Sequence, residues 1–240
     1  MLHIGILAHS ADGAALCFLE IVRESARRLG PHKHPEITLS IQAMGPTLPL
    51  YESNNLAALK DYMAHDAHLL AEAKCDFFVC PDNTAHIVFE SPGAPMPLPG
   101  LHIAEILAQH AKADGRRCVA LLGTKYTMEG PVYAGAFARA GLDMRVPNEA
   151  ERTMINDSIF NELTLGEFKD ETRAKYLAVI ERLKAQGCDA VALSCTEIPI
   201  LIPPGVSPLP SLDSTRLLAH AAVTAAIDGT APIWRGGPVG

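Results

Sequence analysis

Asp82 and Cys195 occupy the same place in two similar stretches of the chain. Cys75-Asp76-Phe77-Phe78-Val79-Cys80-Pro81-Asp82-Asn83-Thr84 aligns with Cys188-Asp189-Ala190-Val191-Ala192-Leu193-Ser194-Cys195-Thr196-Glu197 at a constant offset of 113 residues. Each stretch runs Cys-Asp, a short apolar segment, then a carboxylate or thiol followed by small polar residues. In a parallel α/β protein the position just past a strand is the carboxyl edge of the sheet, where such sheets form their sites. Two halves that each offer one reactive group predict a pocket between them, with one group on each face of a small substrate. Removal and return of a proton at a carbon centre needs that geometry.

Each candidate has a plainer alternative. Ser194-Cys195-Thr196-Glu197 sits between an apolar strand and a predicted helix start. The positive end of a helix favours thiolate, so Cys195 there can act as nucleophile, base or acid. A lone cysteine is more often a small buried apolar residue, and Cys17, Cys75, Cys80, Cys118 and Cys188 fit that description. Asp82 taken alone is a turn or N-cap residue; the internal repeat is what raises it and Cys195 to catalytic candidates. Asn83, Thr84 and Thr196 are placed to donate hydrogen bonds to a substrate carboxylate. His9 and Ser10 follow the first strand, and Thr124 and Thr127 follow its counterpart, so these four have the address of substrate contacts. Glu197 completes the expected substrate-binding set. His86, four residues past Asp82, is expected to support the site from behind.

The elements that must position these groups alternate along the chain. Strands are predicted at His3–Ala8, Glu36–Ala43, Phe77–Cys80, Cys118–Gly123, Asp143–Val146 and Ala190–Leu193. Helices are predicted over Gly13–Leu29, Leu56–Ala73, Ile103–Asp114, Gly130–Ala140, Asn148–Asn161, Lys169–Gln186 and Ser214–Ile227. Strand–helix repetition predicts an α/β fold whose parallel sheets carry helices on both faces. The Pro-rich stretches Ser91–Gly100 and Ile202–Pro210 read as linkers. They give a first half of 1–97 plus a returning helix in 211–240, and a second half of 98–210. The tail Ala231–Gly240 is expected to fray.

Composition narrows the partners. The 240 residues carry a formal charge of −7, 48% hydrophobic residues and no basic run, which argues against a nucleic-acid partner. No apolar run reaches the length of a membrane span. The chain enters a strand-like run at once, without a basic leader, so a cytoplasmic protein with six reduced cysteines is expected. The spacing of the ten histidines and six cysteines shows no HExxH or CxxC, so no metal is expected. The first loop lacks G-x-G-x-x-G, so no dinucleotide cofactor is expected either.

At these residues the chain resembles the aspartate/glutamate racemase superfamily over nearly its whole length. The family's Pro-Cys-Asn-Thr-Ala-His motif corresponds to Pro81-Asp82-Asn83-Thr84-Ala85-His86, and its Gly-Cys-Thr-Glu motif to Ser194-Cys195-Thr196-Glu197. Leu121-Leu122-Gly123-Thr124, continuing through Thr127 to Val132-Tyr133, is similar to a further family stretch. The resemblance implies two pseudo-symmetric flavodoxin-like halves with the site in the cleft between them. It also implies a cofactor-independent, usually homodimeric enzyme that exchanges the α-proton of an amino acid. This chain departs from the pattern in its first cysteine, which is Asp82, and in its first loop, Ala8-His9-Ser10-Ala11-Asp12. The basic residues of aspartate-specific members have no counterpart around Pro46–Glu52 or Asn161–Gly166.

An Asp–Cys pair is unequal in acidity, with reference pKa values of about 3.9 and about 8.5. The expected resting state is Asp82 carboxylate opposite Cys195 thiol, and a carboxylate needs its pKa raised to serve as an α-proton base. Three classes stay open. One is a racemase or epimerase of an amino acid or related small carboxylic acid, acting through Asp82 and Cys195. Another is a single-cysteine lyase (a decarboxylase) or isomerase with Cys195 as proton donor. The last is a catalytically silent carboxylate-binding protein.

Overall fold

A computed structural model describes residues 1–239. The described residues form two compact units, Met1–Ile103 with 218–239, and Ala104–Leu217. Each is built on its own parallel four-stranded sheet.

The first unit begins with β1 (Ile4–Ala8), an apolar run buried along its whole length, as a strand covered on both faces must be. Ser10 then caps α1 (Ala11–Leu29), accepting from the Gly13 N–H at 3.3 Å. β2 (Ile37–Ile41), a 3₁₀ turn (Gly45–Thr47), α2 (Leu48–Glu52) and α3 (Leu56–Glu72) follow. β3 (Phe77–Val79), α4 (Ala85–Glu90) and β4 (Gly100–Leu101) complete this part of the chain. The sheet order is β2-β1-β3-β4, with Ile4 paired to both Ile37 and Phe77. Phe77, Phe78 and Phe89 are fully buried, each worth about 1.5–3 kcal/mol of apolar burial. Gly100 is required by the Phe78 ring, which a Cβ at that position would meet at 2.6 Å.

The second unit repeats the scheme. α5 (Ile103–Ala113) leads into β5 (Cys118–Gly123), α6 (Lys125–Glu129), α7 (Pro131–Ala140) and β6 (Asp143–Arg145). α8 (Glu149–Asn161) opens with a reciprocal capping box between Asn148 and Glu151. After α9 (Asp170–Ala185) come β7 (Ala190–Ser194), α10 (Ile198–Leu201), β8 (Ser211–Asp213) and α11 (Ser214–Asp228), whose later turns belong to the first unit. The order β6-β5-β7-β8 matches the first sheet strand for strand. Its core gathers Ala120, Leu122, Val191 and Leu193 from the central strands with Ile155, Tyr176 and Ile180 from α8 and α9.

Every predicted strand and helix is present. The two edge strands β4 and β8 are additional: they lie at the ends of the Pro-rich segments, where too few residues pair to show a period. The expected fraying of the tail is corrected by its hydrogen bonds. Gly100 N–H donates to the Trp234 carbonyl and Met96 N–H to the Arg235 carbonyl, both at 2.7 Å, and Gly237 N–H donates to the Phe89 carbonyl at 2.8 Å. Trp234 stacks parallel to the His86 ring at 6.1 Å and meets His102 edge-on at 4.8 Å. Gly240, the last residue of that predicted tail, lies outside the described residues. Among the described residues no helix is long and apolar enough to cross a membrane.

Candidate active site

Strand register brings the first group of predicted site residues together. β1 and β3 are neighbours with Ile4 opposite Phe77. His9 and Asp82 each lie five positions beyond those paired residues, so the chain delivers them side by side at the carboxyl edge. His9 Nδ1 lies 2.5 Å from Asp82 Oδ2. The other carboxylate oxygen, Oδ1, accepts from the Thr84 N–H at 2.8 Å and from the Ala85 N–H at 3.4 Å, at the start of α4. Asp82 is thus a turn residue and the partner of a histidine at once. Burial by itself raises its pKa. The His9 hydrogen bond and charge and the two backbone N–H groups outweigh that and hold the carboxyl below its ordinary value. Asp82 therefore lacks the raised pKa that a lone α-proton base would need, because a histidine and two N–H donors stabilise its charged form.

Sequence reasoning did not connect His9 to Thr47, and nothing in the spacing of the two residues signals the contact. Thr47 ends the 3₁₀ turn after β2 and is fully buried. Its hydroxyl lies 2.8 Å from His9 Nε2 and donates to the Met44 carbonyl at 2.7 Å. Tyr51 of α2 stands 6.1 Å from the His9 ring, centroid to centroid. Asn83 is buried and donates to the Pro81 carbonyl at 3.4 Å. Ser10 spends its hydroxyl on the α1 cap.

His86 supports this edge as a neutral ring. Its Nε2 accepts from the Ile103 N–H at 3.2 Å, so the proton sits on Nδ1 and is donated to the Asp82 carbonyl at 3.0 Å. Burial, with His102 nearby, lowers its pKa to about 3.

The second unit collects Thr124, Thr127, Cys195, Thr196 and Glu197 at the edge of its own sheet. Gly123 pairs with Ser194, and a Cβ on Gly123 would meet the Ser194 carbonyl at 2.6 Å; only glycine lets the two strand ends close here. Thr124 caps α6, accepting from the Thr127 N–H at 3.2 Å, and the two hydroxyls are 3.1 Å apart. Cys195 is buried, and its thiol donates to Glu197 Oε2 at 3.0 Å. Thr196 donates to the same oxygen at 2.7 Å. Glu197 Oε1 is buried with no hydrogen-bond partner among the described residues. The expected helix start does follow Cys195, but α10 has four residues, begins at Ile198 and is capped by Glu197. Its dipole is too short to govern the thiol; the carboxylate two residues on is the stronger neighbour. Among the described residues no group of three His, Cys, Asp or Glu side chains is placed to hold a metal ion.

Known proteins resemble the chain in sequence and fold. Residues 11–222 match the Asp/Glu/hydantoin racemase family. The broad specificity amino-acid racemase RacX of Bacillus subtilis (strain 168) is 23% identical over 224 residues, spanning 92% of this chain and 96% of RacX. A candidate Asp/Glu racemase from Yersinia pestis superposes with a TM-score of 0.84 at 29% identity, covering 95% of this chain and all (100%) of the other. The aspartate racemase of Picrophilus torridus shares the fold, with a TM-score of 0.80 at 20% identity over 94% of each chain. The chain belongs to the Asp/Glu/hydantoin racemase family and, with it, to the isomerases.

Proposed function

We propose that the chain is a cofactor-independent racemase or epimerase of an amino acid, with Asp82 and Cys195 as the two groups that exchange the Cα proton. The observation that carries this reading is the pairing of each group with a hydrogen-bonding neighbour at the carboxyl edge of its sheet: Asp82 with His9, and Cys195 with Glu197. On this reading one group takes the Cα proton, leaving the electron pair on the substrate, and the other returns a proton to the opposite face. Asn83, Thr84, Thr127 and the backbone N–H of Thr196 are the proposed contacts for the α-carboxylate. The buried Oε1 of Glu197 is the proposed acceptor for the α-ammonium group. The similarity to a broad-specificity amino-acid racemase supports an amino acid as substrate. A cytoplasmic homodimer is the working form we propose.

The test is incubation of the enzyme in D₂O with a panel of acidic, neutral and basic amino acids, followed by NMR and chiral chromatography. Deuterium at Cα with loss of enantiomeric purity is the expected result. Release of CO₂ without α-exchange would instead assign the chain to the single-cysteine lyases. Binding without any turnover would make it a carboxylate-binding protein.

A further inference from the structure

The hydrogen bonds around His9 determine where its protons are. A threonine hydroxyl has one hydrogen, and Thr47 gives it to the Met44 carbonyl. The 2.8 Å contact between Thr47 and His9 Nε2 therefore has His9 as donor, so Nε2 carries a proton in every charge state. Nδ1 faces Asp82 Oδ2 at 2.5 Å. Two bare lone pairs would repel at that distance, so a proton lies between them. It cannot sit on Oδ1, which already accepts from two N–H groups.

We propose that His9 and Asp82 form one acid–base unit that holds a single proton in the Nδ1–Oδ2 contact, with Thr47 as the residue that fixes the His9 tautomer. The proposal rests on Asp82 being a proton carrier. Taking a proton from Cα, Asp82 Oδ2 forms its O–H bond as the Cα–H bond breaks and its electron pair stays on the substrate. The proton then passes to Nδ1, giving an imidazolium–carboxylate pair. Giving a proton reverses each bond change and leaves a carboxylate beside a neutral ring with bare Nδ1. That bare state lacks the hydrogen bond, so the unit holds its proton more tightly than an isolated carboxylate does. A reference histidine titrates at about 6.5 and a carboxylate at about 3.9, so the unit comes closer to a thiol in acidity than Asp82 could alone. The low position of the Asp82 carboxyl agrees with this, since the shared proton then resides mainly on the ring.

Cys80, Tyr51 and His86 face the unit from the elements packed around it. Cys80, whose thiol burial pushes well above its ordinary pKa, contacts the Asp82 carbonyl through sulfur at 3.9 Å. Cys17 on α1 and Asp66 on α3 act on the Cys80 thiol. Tyr51 on α2 faces the ring, and His86 on α4 donates to the Asp82 carbonyl.

Nitrogen-15 NMR of the histidine-labelled full chain tests the arrangement without any substrate. The expected spectrum has His9 protonated at Nε2 across the pH range, with an Nδ1 proton far downfield that is lost at high pH. A neutral His9 carrying its proton on Nδ1 with Nε2 bare would overturn the proposal. Thr47→Val, which keeps the shape but removes the acceptor, should let that second tautomer appear; an unchanged spectrum would overturn the role of Thr47. In the pH profile of α-exchange, His9→Gln should lower the rate by about ten- to a hundredfold and move the acidic limb to lower pH. A limb that stays in place would remove His9 from the proton unit. If the wild type exchanges no α-proton from any amino acid, the racemase assignment fails, and the NMR result still decides the tautomer on its own.

Discussion

The two halves hold corresponding residues in register and use them differently. Pairing Ile4 with Phe77 and Val119 with Ala190 makes His9 equivalent to Thr124, and Asp82 equivalent to Cys195. In the first half the residue after the first strand reaches across to the proposed proton carrier, and His9 holds Asp82. In the second it turns to its own helix, and Thr124 holds Thr127. There the proton carrier finds its partner two residues on, in Glu197, which takes the place of Thr84. One architecture thus supports a carboxylate with a distant histidine and a thiol with an adjacent carboxylate. If Asp82 and Cys195 are the two carriers we propose, the neighbour follows the acidity of the carrier: the stronger acid has a base beside it, and the weaker acid an acceptor.

Breaking the carrier itself should have the largest effect. Cys195→Ala is expected to lower racemisation by at least about a hundredfold while leaving the fold intact, as measured by chiral chromatography alongside circular dichroism. The next largest effect concerns acid stability, where the halves also differ. The first half buries His86 behind its carrier, whereas the same offset in the second half gives Pro199. His86 has a folded pKa of about 3 against an ordinary value of 6.5. Between those values the unfolded chain binds a proton that the folded chain refuses. Stability is therefore full above about 6.5 and falls as pH drops toward about 3, by up to ~1.4 kcal/mol per pH unit. Asp82, with its lowered pKa, adds a loss of the same sign at the acid end of this range. Urea unfolding across that range should show the slope, and His86→Asn should flatten it.

Glu197→Gln tests the local partner in the second half. The amide still accepts from the thiol but carries no charge, and racemisation should fall by about tenfold. Alkylation of Cys195 by iodoacetamide at fixed pH should speed up, because a thiolate forming there would no longer face a carboxylate. The smallest change expected is Thr124→Val, which loses the α6 cap and should cost about 1 kcal/mol in urea unfolding.

How much of this was legible in the sequence follows the same division. The strands β1, β3, β5 and β7 are continuous apolar runs bounded by polar residues, and the 113-residue repeat placed Asp82 and Cys195 at equivalent strand ends. The Cys195–Glu197 contact spans two residues and lies within a motif, so its members were named together. The His9–Asp82 contact spans 73 residues. The sequence offers Asp82 as a catalytic candidate and His9 as a substrate contact without linking them, because only the β1–β3 register makes them neighbours. Thr47 lies in the Pro46–Glu52 stretch that stands out only for lacking a basic residue; its role depends on a buried hydroxyl that no periodicity reports. The tail was misjudged because its hold on the first unit comes from backbone donors at Met96 and Gly100 and from the rings around Trp234.

The most direct test of Asp82 and Cys195 as two opposed proton carriers is enantiomer-resolved deuterium exchange in the two single variants. A lone carrier can remove the proton from its own face, trade it with D₂O and return deuterium to that face, without inversion. Cys195→Ala is predicted to label one enantiomer only and Asp82→Asn only the other, with neither variant racemising either one. Exchange of the same enantiomer by both variants, or racemisation surviving in either, would contradict the account.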